Sequence, residues 1–314
     1  MEANAVEIPT RADIERAAAM IAGYIRRTPV LQLAIAGLGT ITLKLEQLQH
    51  TASFKPRGAF FTALSAAERP SLLVAASGGN HGLAVAYVGR ALGIPARIFL
   101  PLTAPHAKVS RLHSLGAQVE QHGERYADAF AASEESAASP GALAIHAYDA
   151  PGTVTGQGTM AREIEQQVPG VRAVAVAVGG GGLMGGTSAW FGDATELVAV
   201  EPEGSQTFRA ATQAGRPVDI TPRGLASDSL GASRIGALPF AAMQAAGTRS
   251  VVVGDAAVIS ARELLWRECR IAAEPGGAVA LAAVLEKQVA VAPDGGTVVV
   301  VCGANTDPSD LPLA

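Results

Sequence analysis

The chain has 314 residues, of which 49% are hydrophobic, and a net charge of −4, so it is long enough to bury one large core or two ordinary ones. Its charges form no basic block and no apolar run approaches the roughly 18 residues of a membrane span, so we expect neither a nucleic-acid nor a membrane partner. The two cysteines, Cys269 and Cys302, lie at no metal-ligand spacing, which predicts a reducing, cytoplasmic setting and no metal site.

In chain order, residues 1–8 are expected to form a loose arm, and apolar residues at helical spacing predict a helix over residues 11–26. Short apolar runs predict strands over residues 41–45, 72–75, 96–100, 117–120, 173–178, 197–200, 250–253 and 297–301. Ala-rich stretches between them predict helices over residues 80–92, 105–115, 125–138, 153–168, 255–269 and 276–285. This alternation predicts an α/β fold with parallel sheets whose faces are covered by helices.

Lys55 lies where a predicted helix begins, in the run Ser-Phe-Lys-Pro-Arg-Gly-Ala over residues 53–59, with Pro56 suited to an early helical position. A lysine at the positive end of a helix is electrostatically unfavourable. The position makes sense if the amine forms a Schiff base, or if burial and nearby positive groups lower its pKa. The alternative is an ordinary solvated lysine on the surface.

A second loop, Ser-Gly-Gly-Asn-His-Gly over residues 77–82, also links a predicted strand to a predicted helix. Its glycines open the backbone, and Ser77 and Asn80 offer short polar groups at the helix entrance. Serine and asparagine are also ordinary helix caps, and His81 alone is typical of a packed or capping histidine. The loop by itself is therefore a modest signal.

The strongest local signal is the Ala-Val run of residues 173–178 followed by four glycines at residues 179–182. The backbone N–H groups of such a loop can converge on one anion, and the positive end of the next helix faces the same place. The structural alternative is a tight turn with close packing of strand and helix.

The same glycines allow a different functional interpretation. Gly180, Gly182 and Gly185 satisfy the G-x-G-x-x-G dinucleotide fingerprint, and Glu201 ends the next predicted strand about 20 residues later. Such a fingerprint normally opens the first βαβ unit of a chain, and it does not require the additional glycines at 179 and 181. The rest of the chain must decide between the two interpretations.

Taken together and in this order, the motifs resemble those of threonine/serine dehydratases and serine racemase, which are pyridoxal-phosphate enzymes of fold type II. The matching segments are residues 53–59, 77–82, 155–159, 179–182, 200–202, 274–278 and Val-Cys-Gly-Ala-Asn at residues 301–305. The resemblance extends from Arg11 to Asp307 and outweighs both the surface-lysine and the nicotinamide interpretations.

The resemblance implies pyridoxal 5'-phosphate as the cofactor, with Lys55 forming the Schiff base and then acting as the base near the substrate α-carbon. It implies that the cofactor is also contacted by Phe54, Asn80, Gly179, Gly180, Gly181, Gly182, Leu183 and Cys302. Phe54 would lie beside the ring and Asn80 at the ring hydroxyl, with the glycines and Leu183 at the phosphate. The resemblance implies that a small amino-acid substrate is bound by Ser77, Gly78, Gly79, Asn80, His81, Asp149 and Ser229.

Cys302 occupies the position beside the pyridine nitrogen where this family commonly has serine. A neutral thiol cannot stabilise a protonated ring as an aspartate would. The cofactor is then a weaker electron sink, which favours expulsion of a β-leaving group over transamination.

The expected reaction is therefore α,β-elimination, in which L-threonine gives 2-oxobutyrate and L-serine gives pyruvate, each with ammonia. Serine racemase has a serine at the position of Gly78, and its hydroxyl protonates the opposite face of the substrate, so weak racemisation is expected here. The alternatives are serine racemase or hydroxyaspartate dehydratase activity on the same fold, and a nicotinamide-dependent oxidoreductase.

The resemblance also implies the architecture, a tryptophan-synthase-β-like fold of two domains, each an open, mostly parallel sheet flanked by helices. Residues 1–70 and 147–314 are expected to form the large cofactor-binding domain, and residues 71–146 a small mobile domain. The cofactor would lie in the cleft between them, and the protein is expected to be a homodimer.

Overall fold

The computed structural model describes residues 6–311, so the first five and last three residues, which belong to the expected arm and large domain, lie outside the described part. The strands are β1 (Val30–Ile35), β2 (Gly39–Lys44), β3 (Leu72–Ala76), β4 (Ala96–Leu100), β5 (Gln118–Gln121), β6 (Ala142–Ala144), β7 (Ala173–Ala177), β8 (Glu196–Pro202), β9 (Arg249–Val253) and β10 (Thr297–Val300). The helices are α1 (Arg11–Ile21), α2 (Pro56–Leu64), α3 (Asn80–Leu92), α4 (His106–Ser114), α5 (Tyr126–Ala137), α6 (Pro151–Gln167), α7 (Gly182–Phe191), α8 (Thr207–Ala214), α9 (Ser227–Leu230), α10 (Ala237–Ala245), α11 (Asp255–Cys269) and α12 (Pro275–Leu285). In residues 6–311, none of the helices combines the length and the hydropathy that a bilayer crossing needs.

The strands form two sheets. The larger has the order β1-β2-β10-β7-β8-β9, and only its β1–β2 pair is antiparallel among the described pairings. The smaller has the order β5-β4-β3-β6 and its pairings are parallel. Strands from both ends of the chain therefore build the larger sheet, and the middle of the chain builds the smaller one. The predicted α/β fold with mostly parallel sheets is confirmed.

The core of the larger sheet is built from small branched residues. Every residue of β7 is buried, and Val174, Val176, Val298 and Val299 have no exposed surface. Helices α7 and α12 cover the sheet, and α12 is itself buried from Gly276 to Val284. Burying one valine side chain stabilises a fold by about 1.5–3 kcal/mol, so this Val-Ala sheet provides much of the driving force.

The core of the smaller sheet extends beyond the middle of the chain. Ile21 of α1 and Phe60 and Phe61 of α2 belong to the same buried cluster as Leu73 and Ile98 of the smaller sheet. Helices that precede residue 70 thus help to cover this sheet. The domain boundaries at residues 70 and 146 stay predictions.

Some element boundaries differ from those predicted. The helix predicted over residues 11–26 ends at Ile21, because the chain turns at Gly23, a residue with low helix propensity. Strand β1 was not predicted. It pairs with β2 through a turn in which Gly37 has φ +74°, and only two of its residues, Leu33 and Ile35, are buried. Strand β6 and helices α8 to α10 were also missed; of these, β6 and α9 span only three and four residues.

Candidate active site

Lys55 lies where the carboxyl ends of β3 and β7 face one another. It is the residue from which α2 starts, and Pro56 fills the first helical position, where its missing N–H costs nothing. The preceding backbone is held to the end of β10, because the N–H of Phe54 donates to the carbonyl of Cys302 at 3.3 Å. The predicted placement of Lys55 at a helix start is correct.

The amine of Lys55 points into a cleft. Its Nζ donates to the carbonyl oxygen of Ala147 at 2.7 Å and lies 5.1 Å from the ring centroid of Phe54. Burial lowers the pKa of Lys55 to about 8, although the nearby Cys302 and Glu274 act in the opposite direction. A neutral amine is a nucleophile, so the site can form a covalent bond with a carbonyl compound near neutral pH.

The four glycines form the wall of the cleft that faces Lys55. They connect β7 to α7, and Gly181 takes the N-cap position of α7 with φ +88°. That left-handed conformation favours glycine, and a Cβ there would lie only 2.9 Å from the Cβ of Pro239. The first N–H groups of a helix have no partner within the helix, so this loop offers an anion a set of donors.

Tyr148 explains why two other glycines of the loop carry no side chain. A Cβ on Gly180 would lie 2.2 Å from Cδ1 of Tyr148, and one on Gly182 would lie 2.9 Å from its Cα. Tyr148 therefore packs directly on the loop and lines the cleft. It was missed from the sequence, where the only signal is its place beside Asp149.

Asn80, the first residue of α3, extends from the opposite side of the cleft. Its Nδ2 donates to Oε1 of Glu274 at 2.7 Å, and its Oδ1 accepts from the side chain of Asn305. Glu274 also accepts from the backbone N–H of Asn305 at 3.1 Å, and burial raises its pKa to about 7. Glu274 is the N-cap residue of α12, but its side chain makes no capping hydrogen bond, so its carboxylate can orient Asn80.

Cys302 closes the cleft at the end of β10. The thiol is buried, and its Sγ donates to the carbonyl of Gly276 at 3.5 Å. Burial raises the pKa of Cys302 far above its usual value, and the negative charge of Glu274 adds to this effect. The thiol is therefore neutral over the physiological range.

Most of the residues predicted to contact the cofactor or substrate meet in one cleft. Those lining it are Phe54, Lys55, Asn80, Gly179, Gly180, Gly181, Gly182, Leu183, Ser229 and Cys302. Ser229 Oγ accepts from the N–H of Gly276 at 3.2 Å. Glu274 and Tyr148 also line the cleft, although the prediction assigned neither of them a role in the site.

The other predicted substrate residues lie around this cleft. Gly78 and Gly79 line an adjoining groove together with Asn80, and Ser77 Oγ accepts from the N–H of Gly79 at 3.2 Å. His81 is buried and its Nε2 lies 2.7 Å from the carbonyl oxygen of Ile145.

The carboxylate of Asp149 already caps a helix. Its two carboxylate oxygens accept from the N–H groups of Ala237 and Leu238, each at 3.0 Å, and so cap α10. A substrate contact from Asp149 stays a prediction.

Glu201 does not behave as the acidic residue of a dinucleotide fingerprint. It is fully buried at the end of β8, and it accepts from the N–H groups of Phe208 and Arg209 at 2.7 and 2.9 Å, which caps α8. The adjacent Thr207 hydroxyl donates to the carbonyl of Gly179 and so anchors the glycine loop. A carboxylate committed to a helix in this way is not available to a ribose.

Known proteins resemble the chain over most of its length. Residues 21–303 match the family model described as pyridoxal-phosphate dependent enzyme. The chain is 33% identical over 286 residues to an L-threonine ammonia-lyase of Thermotoga maritima, and the match covers 88% of this chain and 71% of that relative. The processed form of threonine deaminase isoform 2 from Solanum lycopersicum has a TM-score of 0.87 at 27% identity, covering 98% of this chain and 89% of that one. Maize serine racemase has a TM-score of 0.88 at 28% identity, covering 97% and 96%.

Proposed function

The chain belongs to the family of pyridoxal-phosphate-dependent enzymes, and from this premise we propose that it deaminates L-threonine and L-serine: water is eliminated, and the resulting enamine takes up one water and releases ammonia. The products are 2-oxobutyrate and pyruvate. The observation that carries the proposal is the partly buried amine of Lys55 opposite the glycine loop, in one cleft with Asn80 and Cys302. The similarity to an L-threonine ammonia-lyase supports the choice of substrate.

The residues of the cleft fit pyridoxal phosphate. The loop of residues 179–182 offers backbone donors at the start of α7 for a phosphate, and its space exists because no Cβ projects from it. Lys55 supplies the amine for covalent attachment, and Phe54 lies beside it with its ring. Asn80 has a second amide hydrogen beyond the one bound by Glu274, which suits it to a hydroxyl of the cofactor ring.

When bound, pyridoxal phosphate withdraws electrons from the substrate α-carbon, which makes the α-proton removable and the β-hydroxyl expellable. Lys55 holds the cofactor and takes the α-proton at Nζ, for which its lowered pKa of about 8 is suited. The neutral thiol of Cys302 gives the ring nitrogen a partner without charge. This arrangement favours elimination over transamination.

Racemisation needs an acid on the second face of the substrate. Gly78 has no side chain to act as one, and a Cβ there would lie 2.9 Å from Cδ2 of Leu100. Because this Cδ2 is the end of a flexible side chain and can shift, it is the sequence and not the packing that leaves this position without an acid. We infer that elimination exceeds racemisation.

The two sheets and the cleft between their carboxyl ends suggest how the protein excludes water. We propose that residues 71–146 move as a small domain against residues 1–70 and 147–314, so that closure shields the reacting groups. We also propose a homodimer in the cytoplasm, a setting that suits the two free thiols. Light scattering of the purified protein tests the dimer.

The activity is tested by incubating the protein, loaded with pyridoxal phosphate, with L-threonine, L-serine and D-serine. Release of 2-oxobutyrate and pyruvate from the L-amino acids is the expected result. Lys55→Ala should abolish both products and the borohydride-sensitive absorbance, whereas Lys287→Ala, at an exposed position, should leave them unchanged. Formation of D-serine faster than pyruvate would reject the proposal in favour of a racemase.

A further inference from the structure

A second cavity lies behind the cofactor cleft, between α5 and the carboxyl ends of β3 and β6. Its cavity volume is about 120 Å³, compared with about 50 Å³ for the cleft. Its lining combines three aromatic side chains, those of Tyr126, Phe130 and Tyr148, with small aliphatic residues. A methyl group, the β-substituent of threonine, fills little of such a space.

The cavity adjoins the reacting centre. Tyr148 lines both the cavity and the cleft. The carbonyl that accepts from Lys55 Nζ at 2.7 Å belongs to Ala147, which also lines the cavity. Ala147 and Tyr148 therefore connect the cavity with the surroundings of the Lys55 amine, which brings a β-substituent of a substrate held at this amine close to it.

The charges of the cavity disfavour an anionic substituent. Among the described residues, those that line it include no lysine or arginine but do include Glu134. Its two histidines are poor cations: burial, reinforced by the charge of Lys55, lowers the pKa of His81 to about 3. Burial also lowers the pKa of His146, against the opposing effect of Asp149.

The adjoining groove does contain cations, but each already has a partner. Lys108 forms a salt bridge with Asp228, and Arg111 donates to the side chain of Asn305. A second substrate carboxylate would have to compete with the carboxylate of Asp228 for Lys108. Because these cations line the groove and not the cavity, they do not make the cavity receptive to the side-chain carboxylate of 3-hydroxyaspartate.

We propose that the aromatic cavity receives the β-substituent of the substrate, so that the protein also acts on β-hydroxy amino acids whose β-substituent is a larger aliphatic or aromatic group. This inference rests on the proposed elimination. For β-phenylserine, the α-C–H and β-C–O bonds break and water leaves as the carbon–carbon double bond forms. The resulting enamine tautomerises, takes up one water and loses ammonia to give 3-phenyl-2-oxopropanoate. No oxidant or reductant is needed.

The test compares kcat/KM for L-threonine, L-threo-β-phenylserine and L-threo-3-hydroxyaspartate. We expect phenylserine to be used within about tenfold of threonine, and hydroxyaspartate about 100-fold less well. Ala144→Phe should fill the cavity from its exposed edge and lower kcat/KM for phenylserine about tenfold, with little effect on threonine. Ala131→Phe is the matched control, because Ala131 is exposed on α5 and does not line the cavity.

Binding gives a second measurement that needs no turnover. L-Phenylalanine has no β-hydroxyl, so it should bind as a competitive ligand more tightly than L-aspartate, and Ala144→Phe should weaken only the former. Turnover of threonine without turnover of phenylserine would overturn the inference, as would equal losses for both substrates in Ala144→Phe. Binding of L-phenylalanine that Ala144→Phe weakens, without any 2-oxo acid from threonine or serine, would instead reject the proposed elimination and keep the cavity's role.

Discussion

The side-chain amide of Asn80 donates a hydrogen bond to the buried carboxylate of Glu274 at 2.7 Å. The two residues are 194 positions apart in the chain and come from opposite sides of the cofactor cleft. Since Asn305 donates to the oxygen of the same amide, both ends of the Asn80 side chain are fixed. Glu274 thus sets which way the amide of Asn80 faces the cleft.

Glu274→Gln is expected to lower kcat about tenfold, because the loss of a hydrogen bond to a charged group costs about 1.5–3 kcal/mol. Burial raises the pKa of Glu274 to about 7, so the carboxylate that accepts from Asn80 and Asn305 is lost as the pH falls below 7. Activity of the parent should therefore decline below pH 7. The variant should lack this decline, and an unchanged pH profile in Glu274→Gln would show that Glu274 has another role.

Gly181→Ala is expected to weaken pyridoxal-phosphate binding about tenfold or more, because a left-handed backbone costs a non-glycine residue about 1–2 kcal/mol. Its φ is +88°, and the new Cβ would also lie 2.9 Å from the Cβ of Pro239, so the loop must shift. Gly215→Ala is the matched control. Its φ is +68° with no atom within 4 Å of the new Cβ, so it shares the backbone strain but not the displacement of the loop. The affinity of each apoprotein for the cofactor is measured by titration followed by absorbance. Equal affinities of Gly181→Ala and Gly215→Ala would contradict the role of the loop.

The motifs that could be read from the sequence are those whose chemistry is local. Lys55 at a helix start and the glycines of residues 179–182 between a strand and a helix are each defined by their neighbours in the chain. Tyr148 and Glu274 act through partners far away in sequence, which no spacing rule reports. Their places in the cleft follow only from the packing of the two sheets.

Asp149 shows what the sequence alone left out. The family resemblance implies that it contacts the substrate, which stays a prediction, and the structure adds that its carboxylate caps α10, a helix that the sequence pattern did not indicate. An acidic residue cannot be assigned to substrate or structure while the helix that it caps is unknown. Strand β1 was missed for a related reason, because most of its residues are not buried and its pattern is weak.

The rate at which the apoprotein binds pyridoxal phosphate covalently should depend on pH. Only the neutral amine attacks a carbonyl, and burial lowers the pKa of Lys55 to about 8. The rate should rise about tenfold per pH unit below pH 8 and level off above it. A free lysine derivative, whose pKa is about 10.4, is the control and should show a rate that still rises above pH 8. Stopped-flow absorbance measures the rates of the apoprotein and of the free lysine derivative. If the two rates depend on pH in the same way, Lys55 is not held in a desolvated site.

Two residues after Lys55, Arg57 forms the centre of a buried ion network that fixes α2. Its Nε lies 2.7 Å from Oε2 of Glu46 and its Nη1 lies 2.8 Å from Oε1 of Glu163. Lys44 completes the network at 2.6 Å from Glu163, so two cations balance two anions. Burial alone would raise the pKa of Glu46, but Arg57 and Lys44 more than compensate and keep it below its usual value.

Arg57→Met should destabilise the protein by about 3–5 kcal/mol, because removing one partner of a buried ion pair leaves a charge without compensation. Glu46 would lose both of its contacts with the guanidinium, and Glu163 would keep only Lys44. Arg57→Lys should have an intermediate effect, since an ammonium keeps the charge but not the paired geometry. Arg234→Met, which breaks an exposed pair with Asp219, is the control and should leave the melting temperature unchanged. If Arg57→Met has the same melting temperature as the parent, the network does not hold α2. If its melting temperature is lower and it also binds pyridoxal phosphate more weakly, the network positions Lys55 as well.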